Sequence, residues 1–121
     1  MHENTSVEEE TLRAIIGSRL TSVEFVLDYW QLRFDGPTLT VVTPPRVEFR
    51  GRRLGPGDEG FRDQLCDRIG AKVTSVAILP GESILIKFED EGVFEVPLRD
   101  DDYVTAEAAI FQGGEAGWWV L

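Results

Sequence analysis

Two stretches of eight residues decide how this chain folds, because the second nearly repeats the first. Residues 16–23 read IGSRLTSV and residues 69–76 read IGAKVTSV, with five of the eight positions identical. The similarity continues with LRFD at 32–35 against IKFE at 86–89, where the spacing between the two copies has grown only from 53 to 54. We therefore predict an internal duplication, in which one structural unit occurs twice.

Each predicted unit begins with a short helix and continues with three strands. The first helix is capped by Ser6, with Glu9 in the position that completes a capping box, and the second is capped by Asp58. Both helices end at a glycine, Gly17 or Gly70, where a positive φ costs glycine little. After each glycine the apolar residues recur at every second position, which is typical of strands with one buried face.

The predicted fold is an α+β domain in which two αβββ repeats form a mostly antiparallel sheet or a half-open roll, with the helices on one apolar face. An arrangement in which each three-stranded meander forms its own layer is the alternative. The repeats cover residues 6–45 and 58–98 of a single domain of 121 residues. Residues 46–57 are predicted to be a linker that starts with a short edge strand, and residues 99–121 a C-terminal extension.

The extension is predicted to contain a helical turn within residues 105–112 and a last strand at 117–121, which reads GWWVL. An exposed apolar segment of that size promotes aggregation. We therefore expect Trp119 and Leu121 to pack inward.

The chain is strongly acidic, with 22 acidic and 12 basic side chains and a formal net charge of −10. Binding to phosphate backbones depends on Lys and Arg, so we predict no nucleic acid and no membrane as partners. The apolar runs fall short of the roughly 20 residues that a membrane helix needs. The chain also opens without a charged-then-apolar leader, and we predict a cytoplasmic protein.

The sequence offers little to catalysis, and we predict no catalytic residue, no cofactor and no metal site. The single histidine, His2, lies in the N-terminal tail. The single cysteine, Cys66, is predicted to be a small core residue whose pKa is raised by Asp63 and Asp67. Glycine-rich residues 51–58 favour a linker loop over a phosphate loop, because acidic residues already stand at the helix start.

The best candidate for a functional surface is the acidic segment that follows the second repeat. Its candidate partner-binding residues are Asp100, Asp101, Asp102, Tyr103 and Glu107. Carboxylates with an adjacent tyrosine are suited to docking a basic protein, since charge complementarity speeds association. The main hypothesis is a small non-enzymatic protein-interaction domain, by analogy an antidote or immunity protein against a basic toxin. A solvated face that only keeps the protein soluble is the simpler interpretation of such a charge run.

Two other functions stay open. One is a small-molecule-binding or enzymatic domain with a pocket between the helices and the sheet, which needs polar groups such as Glu24 or Arg33 turned inward. The other is a homodimer in which the strand at 46–50 or the C-terminal tail pairs across a two-fold axis.

Three short motifs also carry a resemblance. They are DYWQLRFDG at 28–36, LCDRIG at 65–70, and LRDDDY at 98–103, the last followed by Glu107 and Ala108. On these residues the chain resembles a family of small bacterial proteins, a domain of unknown function. The resemblance covers most of the chain and implies no catalytic residues.

Overall fold

The structure is a computed structural model that describes residues 6–121. In this range the helices are α1 (Val7–Leu12) and α2 (Phe61–Cys66), and single 3₁₀ turns lie at Arg13–Ile15, Asp100–Asp102 and Gly114–Ala116. The strands are β1 (Ser22–Phe25), β2 (Trp30–Arg33), β3 (Thr38–Val41), β4 (Arg46–Phe49), β5 (Arg52–Leu54), β6 (Val73–Leu79), β7 (Ser83–Phe88), β8 (Val93–Pro97), β9 (Ala109–Gln112) and β10 (Trp118–Val120).

These strands form two antiparallel sheets of five strands each. Sheet 1 has the order β1-β2-β3-β9-β10, and sheet 2 has the order β5-β4-β8-β7-β6. The mixed α+β class and the antiparallel pairing are confirmed. The single sheet that we predicted is replaced by two, because each meander forms its own layer and then accepts a hairpin.

The two hairpins exchange places between the sheets. Hairpin β4-β5 follows the meander of sheet 1 but pairs with β8 of sheet 2, and hairpin β9-β10 follows the meander of sheet 2 but pairs with β3 of sheet 1. Residues 46–57, predicted as a linker, thus contribute two strands to sheet 2. β4 lies inside that sheet, and β5 is its edge. The two halves of the chain are held together by these exchanged strand pairs.

The core lies on one face of each sheet, as the alternating apolar residues predict. In sheet 1 a row of paired residues crosses all five strands: Val23, Leu32, Leu39, Phe111 and Trp119. In sheet 2 the corresponding row is Leu54, Val47, Phe94, Ile86 and Val76. The buried members of both rows belong to one hydrophobic cluster, with Val23 packed against it. Burial of the two apolar faces against each other is the main stabilising contribution to the fold.

Both helices contact strands of both sheets. α1 contacts β6 and β10, and α2 contacts β4 and β1. Each helix therefore covers a seam between the sheets, so the two do not lie together on one face of a single sheet. Within residues 6–121, neither these helices nor any other reaches the length and apolarity needed to cross a membrane.

The predicted Ser6 cap of α1 is confirmed, and the predicted Asp58 cap of α2 is wrong. Glu9 does not complete a capping box, because its carboxylate accepts from the Ile78 N–H instead. The Ser6 Oγ accepts a hydrogen bond from the Glu9 backbone N–H at 3.0 Å. At α2 the residue before the helix is Gly60, with φ of 92°, and no side chain caps it. The Asp58 carboxylate turns back to accept from the Gly55 N–H at 2.8 Å, so it stabilises the preceding loop instead.

The two repeated stretches lie side by side where α1 and α2 end. Gly17 and Gly70 have the predicted positive φ, at 88° and 97°. The helices end earlier than predicted, α1 at Leu12 and α2 at Cys66, and turns lead from there to the two glycines. Four backbone hydrogen bonds join the stretches: Gly17 N–H to Val73 C=O (2.8 Å), Gly70 N–H to Leu20 C=O (2.7 Å), Leu20 N–H to Ala71 C=O (3.1 Å) and Val73 N–H to Ser18 C=O (2.9 Å).

The C-terminal region differs from the prediction in one element. The helical turn expected within 105–112 is wrong, because Ala109–Gln112 forms β9 between β3 and β10. Pairing on both sides outweighs the helix propensity of this alanine-containing segment. The predicted last strand is confirmed, with Trp119 buried and Leu121 partly buried against the core.

Candidate docking site

The predicted partner-binding residues lie on a 3₁₀ turn and the extended segment after it. The turn Asp100–Asp102 is closed by hydrogen bonds from the Asp102 N–H to the Arg99 C=O at 2.8 Å and from the Tyr103 N–H to the Asp100 C=O at 3.3 Å. Within residues 6–121, none of the three turn carboxylates forms an ion pair. They are therefore free to meet a cationic partner.

Asp100 and Tyr103 line a surface cleft of about 290 Å³, which we call the acidic cleft. Its lining also includes Ser6, Glu8 and Gly81. The remaining lining residues are apolar: Ile78, Pro80, Leu98 and Leu121. Asp101, Asp102 and Glu107 are not part of its lining. The structure thus brings two of the five predicted residues together at a concave site.

Four distant parts of the chain build the acidic cleft. The start of α1 is fixed there because the Glu9 Oε1 accepts from the Ile78 N–H of β6 at 2.8 Å. The turn between β6 and β7 is fixed because the Leu98 N–H donates to the Glu82 C=O at 2.9 Å. Leu121 is held by the pairing of its backbone with Ala109 in β9, at 2.9 and 3.1 Å.

Exposed apolar residues adjoin the lining residues along the chain. Leu79 precedes Pro80 and is 42% exposed, Val104 follows Tyr103 and is 66% exposed, and Val7 lies between Ser6 and Glu8 and is 76% exposed. None of these three side chains belongs to the lining of the cleft, and single exposed apolar residues are common on protein surfaces.

The charges near the acidic cleft are mainly negative. Glu8 and Asp100 belong to its lining, and Asp101 and Asp102 lie on the same turn as Asp100. The nearest cation along the chain, Arg99, lies 3.9 Å from the Glu82 carboxylate and is engaged with it. An apolar lining among carboxylates is suited to a ligand that carries both an apolar group and positive charge.

Sequence reasoning found Asp100 and Tyr103 but missed the rest of the cleft. The sequence predicts Ser6 only as a helix cap and Leu121 only as a core residue, and Glu8 was not singled out. Their convergence has no local signal, because it depends on which strands pair.

The other candidates are dispersed. Cys66 is exposed rather than buried in the core, so that prediction is wrong. Partial desolvation of the sulfur, and then the carboxylates of Asp63 and Asp67, raise the pKa of the Cys66 thiol. His2 lies outside the described residues. In residues 6–121, no group of three or more His, Cys, Asp or Glu side chains is placed to hold a metal ion.

A second cleft, of about 270 Å³, lies between α2 and the β1-β2 turn, and we call it the aromatic cleft. Its lining residues include Phe25, Trp30, Phe61 and Arg62. The Arg62 guanidinium carbon lies 5.6 Å from the centroid of the Phe25 ring, a distance typical of a cation–π contact. The site therefore combines aromatic surface with one positive charge.

Glu24 and Arg33, which a polar internal pocket would need, do not turn inward. They are exposed on the outer face of sheet 1, where the Arg33 Nη2 donates to the Glu24 Oε1 at 3.0 Å.

Comparison of the chain with profiles of protein families, with curated proteins and with solved structures gives no match. The resemblance to a family of small bacterial proteins therefore stays a prediction.

Proposed function

We propose that this protein is a non-enzymatic interaction domain that binds a basic protein partner through the acidic cleft. The observation that carries the proposal is the combination of an apolar lining, in Ile78, Pro80 and Leu98, with the carboxylates of Glu8 and Asp100. The partner inserts a large apolar side chain between these residues, and its Lys or Arg side chains lie against the carboxylates.

The two kinds of contact contribute differently. Burying one large apolar side chain contributes about 1.5–3 kcal/mol, which makes the inserted residue the main source of affinity. Exposed ion pairs contribute about 0–1 kcal/mol each, so the carboxylates mainly accelerate association and select against acidic proteins. Tyr103 is partly buried and packs against the core, which makes it a rigid anchor at the cleft wall.

A specific version of this function is that of an antidote to a basic toxin. The small size, the net charge of −10 and the lack of predicted catalytic groups support it, by analogy with inhibitors of that kind. The antidote then acts by covering the basic surface of the toxin.

We further propose that the fold arose by duplication of a unit that begins with the helix and the glycine. The four hydrogen bonds between residues 16–23 and 69–76 support it, because they fall into two pairs related by the spacing of 53 residues. Gly17 and Gly70 are equivalent positions of the two stretches, and so are Leu20 and Val73. The bond from Gly17 to Val73 is therefore equivalent to the bond from Gly70 to Leu20. The hairpin exchange between the sheets follows the same symmetry.

The interaction is tested by affinity capture with four versions of the full chain as bait: the wild type, Asp100→Lys, Tyr103→Ala and the control Asp28→Lys. Asp28 is exposed in the β1-β2 turn, away from the acidic cleft, and receives the same charge change as Asp100. We expect the wild type and the Asp28 variant to retain the same basic protein and the other two to lose it. Calorimetry with the purified protein should then show at least tenfold weaker binding to Asp100→Lys. Equal capture by all four baits, or no specific protein with any of them, would contradict the proposal.

The aromatic cleft supports a second candidate function, binding of a small apolar anion. The guanidinium of Arg62 beside the rings of Phe25, Trp30 and Phe61 is the observation that favours it. The probe is anilinonaphthalene sulfonate, with Arg62→Gln compared against Arg50→Gln. Arg50 is a matched control, because it is also exposed and lies 5.0 Å from the centroid of the Phe49 ring. Loss of probe binding in the Arg62 variant alone supports the site, and equal binding by both variants excludes it.

A further inference from the structure

The outer face of sheet 1 is formed by two complete rows of side chains that cross all five strands. The first row is Ser22, Arg33, Thr38, Gln112 and Trp118, and the second is Glu24, Gln31, Thr40, Ile110 and Val120. Directly paired residues of an antiparallel sheet lie on the same face, so these ten side chains form one continuous surface.

This face carries no net charge in a chain whose net charge is −10. Its only ionisable side chains are those of Glu24 and Arg33, and their oxygen and nitrogen lie 3.0 Å apart. The excess of negative charge therefore lies on other parts of the protein. The central part of a protein interface contains few charged residues, and the two charged side chains of this face neutralise each other.

The polar groups of the face largely bind one another. The Arg33 Nη2 donates to the Gln31 Oε1 at 3.0 Å as well as to Glu24, and the Gln31 Nε2 donates to the Thr40 Oγ1 at 3.0 Å. A polar group that keeps its hydrogen bond on burial avoids most of the desolvation cost. Covering this face is therefore less costly than covering a face of unpaired polar side chains.

One corner of the face is apolar. Trp118 is 71% exposed, Val120 is 44% exposed, and Ile110 of the neighbouring strand is partly buried beside Val120. An exposed tryptophan next to aliphatic residues is a typical anchor of a protein interface.

We propose that a second copy of this chain covers the outer face of sheet 1, with the apolar corner at Trp118 and Val120 as its main anchor. Two copies with a charge of −10 each repel one another, and the repulsion is smallest where the facing surfaces are neutral. A two-fold contact places the same surface on both copies, so a neutral face with its own donors, acceptors and an apolar corner is self-complementary. The basic partner of the acidic cleft has no electrostatic reason to choose this face.

The area of this face indicates how tightly two copies can bind each other. Five strands about 4.8 Å apart and about four residues long, at about 3.4 Å per residue, cover roughly 300 Å². A stable interface buries about 800 Å² on each partner, so the dimer is a weak and reversible one. We expect a dissociation constant on the order of 10–1,000 µM.

The test is sedimentation velocity of the full chain over a concentration series, at low and at high NaCl. We expect the weight-average mass to rise with concentration, and to rise further at high salt, because salt screens the repulsion between the copies. This salt dependence is opposite to that expected for a basic partner in the acidic cleft, so the two proposals can fail independently.

Two variants place a lysine on the face, Trp118→Lys and Thr38→Lys, and both should remain monomeric at every concentration. Leu27→Lys is the control, since Leu27 is 95% exposed in the β1-β2 turn and lies outside the two rows. It should associate at least as strongly as the wild type. A wild-type chain that stays monomeric to about 1 mM at high salt, or association that survives both face variants, would overturn the proposal.

Discussion

The Nε of Arg68 lies 3.1 Å from the Oδ2 of Asp90, and the arginine side chain is only 3% exposed. Its guanidinium carbon lies 4.0 Å from the centroid of the Phe49 ring. Neither its Nε nor its Nη1 has a hydrogen-bond partner among residues 6–121, so the contact with Asp90 is an ion pair without hydrogen-bond geometry. Among residues 6–121, Asp90 is the one anion that forms an ion pair with this buried guanidinium. Removal of Asp90 leaves the buried charge of Arg68 without a counter-ion. Removal of Arg68 leaves only the Asp90 carboxylate, which is partly exposed to water. The two substitutions should therefore destabilise the fold to different extents.

Replacement of Asp90 by alanine should destabilise the fold strongly. It leaves the buried Arg68 charge without its carboxylate, which costs about 3–5 kcal/mol in pairs of this kind. Urea unfolding followed by circular dichroism measures the change. Asp101→Ala is the control, because Asp101 is exposed and forms no ion pair with any residue in the range 6–121. Replacement of Arg68 by methionine should cost less than Asp90→Ala, since an apolar side chain of similar length needs no counter-charge. An equal or larger cost would contradict this explanation.

Gly92 should not tolerate a side chain while Arg68 is present. A Cβ at this position would lie 2.6 Å from both the Cδ and the Nη1 of Arg68. We expect Gly92→Ala to destabilise the fold by about 1–3 kcal/mol through overpacking. The cost should fall by at least half in an Arg68→Ala background, because the clashing atoms are then absent. A double-mutant cycle from urea unfolding gives the coupling energy, and additive costs would rule out the clash.

Glu9 should matter more to stability than its neighbours in α1. Its carboxylate accepts from the Ile78 N–H of β6 at 2.8 Å, and Ile78 is buried. Glu9→Ala leaves that N–H without its partner and should cost about 1–3 kcal/mol. Glu9→Gln keeps an acceptor oxygen and should cost less, whereas the exposed Glu10→Ala should cost little. Hydrogen exchange at Ile78 is the specific measurement: it should accelerate in Glu9→Ala and stay slow in Glu10→Ala.

Gly17 and Gly70 should respond alike to substitution. Both have φ near +90° and both donate a backbone hydrogen bond across the repeated stretches. Alanine at either position should cost about 1–2 kcal/mol, because an L side chain rarely adopts this backbone conformation. Gly57→Ala is the control, as Gly57 has neither a positive φ nor a neighbour within 4 Å of its added Cβ. The melting temperatures of the three variants provide the comparison. An unchanged melting temperature for the Gly17 or Gly70 variant would show that the positive φ is not required there.

Cys66 should react slowly with iodoacetamide although it is exposed. Its pKa is raised by partial desolvation and by the carboxylates of Asp63 and Asp67, so the reactive thiolate is scarce at neutral pH. Alkylation should accelerate as the pH rises. Asp63→Asn and Asp67→Asn should shift the rate profile towards lower pH, because removing a negative charge lowers the thiol pKa. The Asp101→Asn control should leave the profile in place, and an unchanged profile in all three variants would remove the electrostatic explanation.

The strands that are correctly predicted are those with a strong local pattern. Alternation around Leu32 and around Ile86 marks one buried face, and this requirement holds in whichever sheet the strand lies. The helical turn predicted within residues 105–112 is wrong, because residues 109–112 form a strand. This segment is a strand because it pairs with β3 and with β10. β3 lies about 70 residues earlier in the chain, and β10 lies a few residues later. Local propensity contains no information on the distant strand.

In the candidate site, too, some residues were predictable from the sequence and others were not. Asp100 and Tyr103 stand out in the sequence because of the charge run, whereas Glu8 and Leu121 show nothing local that connects them. They meet because α1 covers the seam between β6 and β10, and no periodicity in the sequence encodes which seam a helix covers. Arg68 was missed for a similar reason, since a single arginine in a helix end is normally solvated.

The sequence by itself determined the buried face of most strands, the start of α1, the two glycines with positive φ and the acidic character of the protein. These properties depend on the residue itself or on neighbours within a few positions. The tertiary structure decided the exchange of hairpins between the sheets, the convergence of the acidic cleft, the neutral outer face of sheet 1 and the burial of Arg68. Each of these depends on pairing between residues far apart in the chain, where many alternatives satisfy the local rules and only the packing of the whole core selects one.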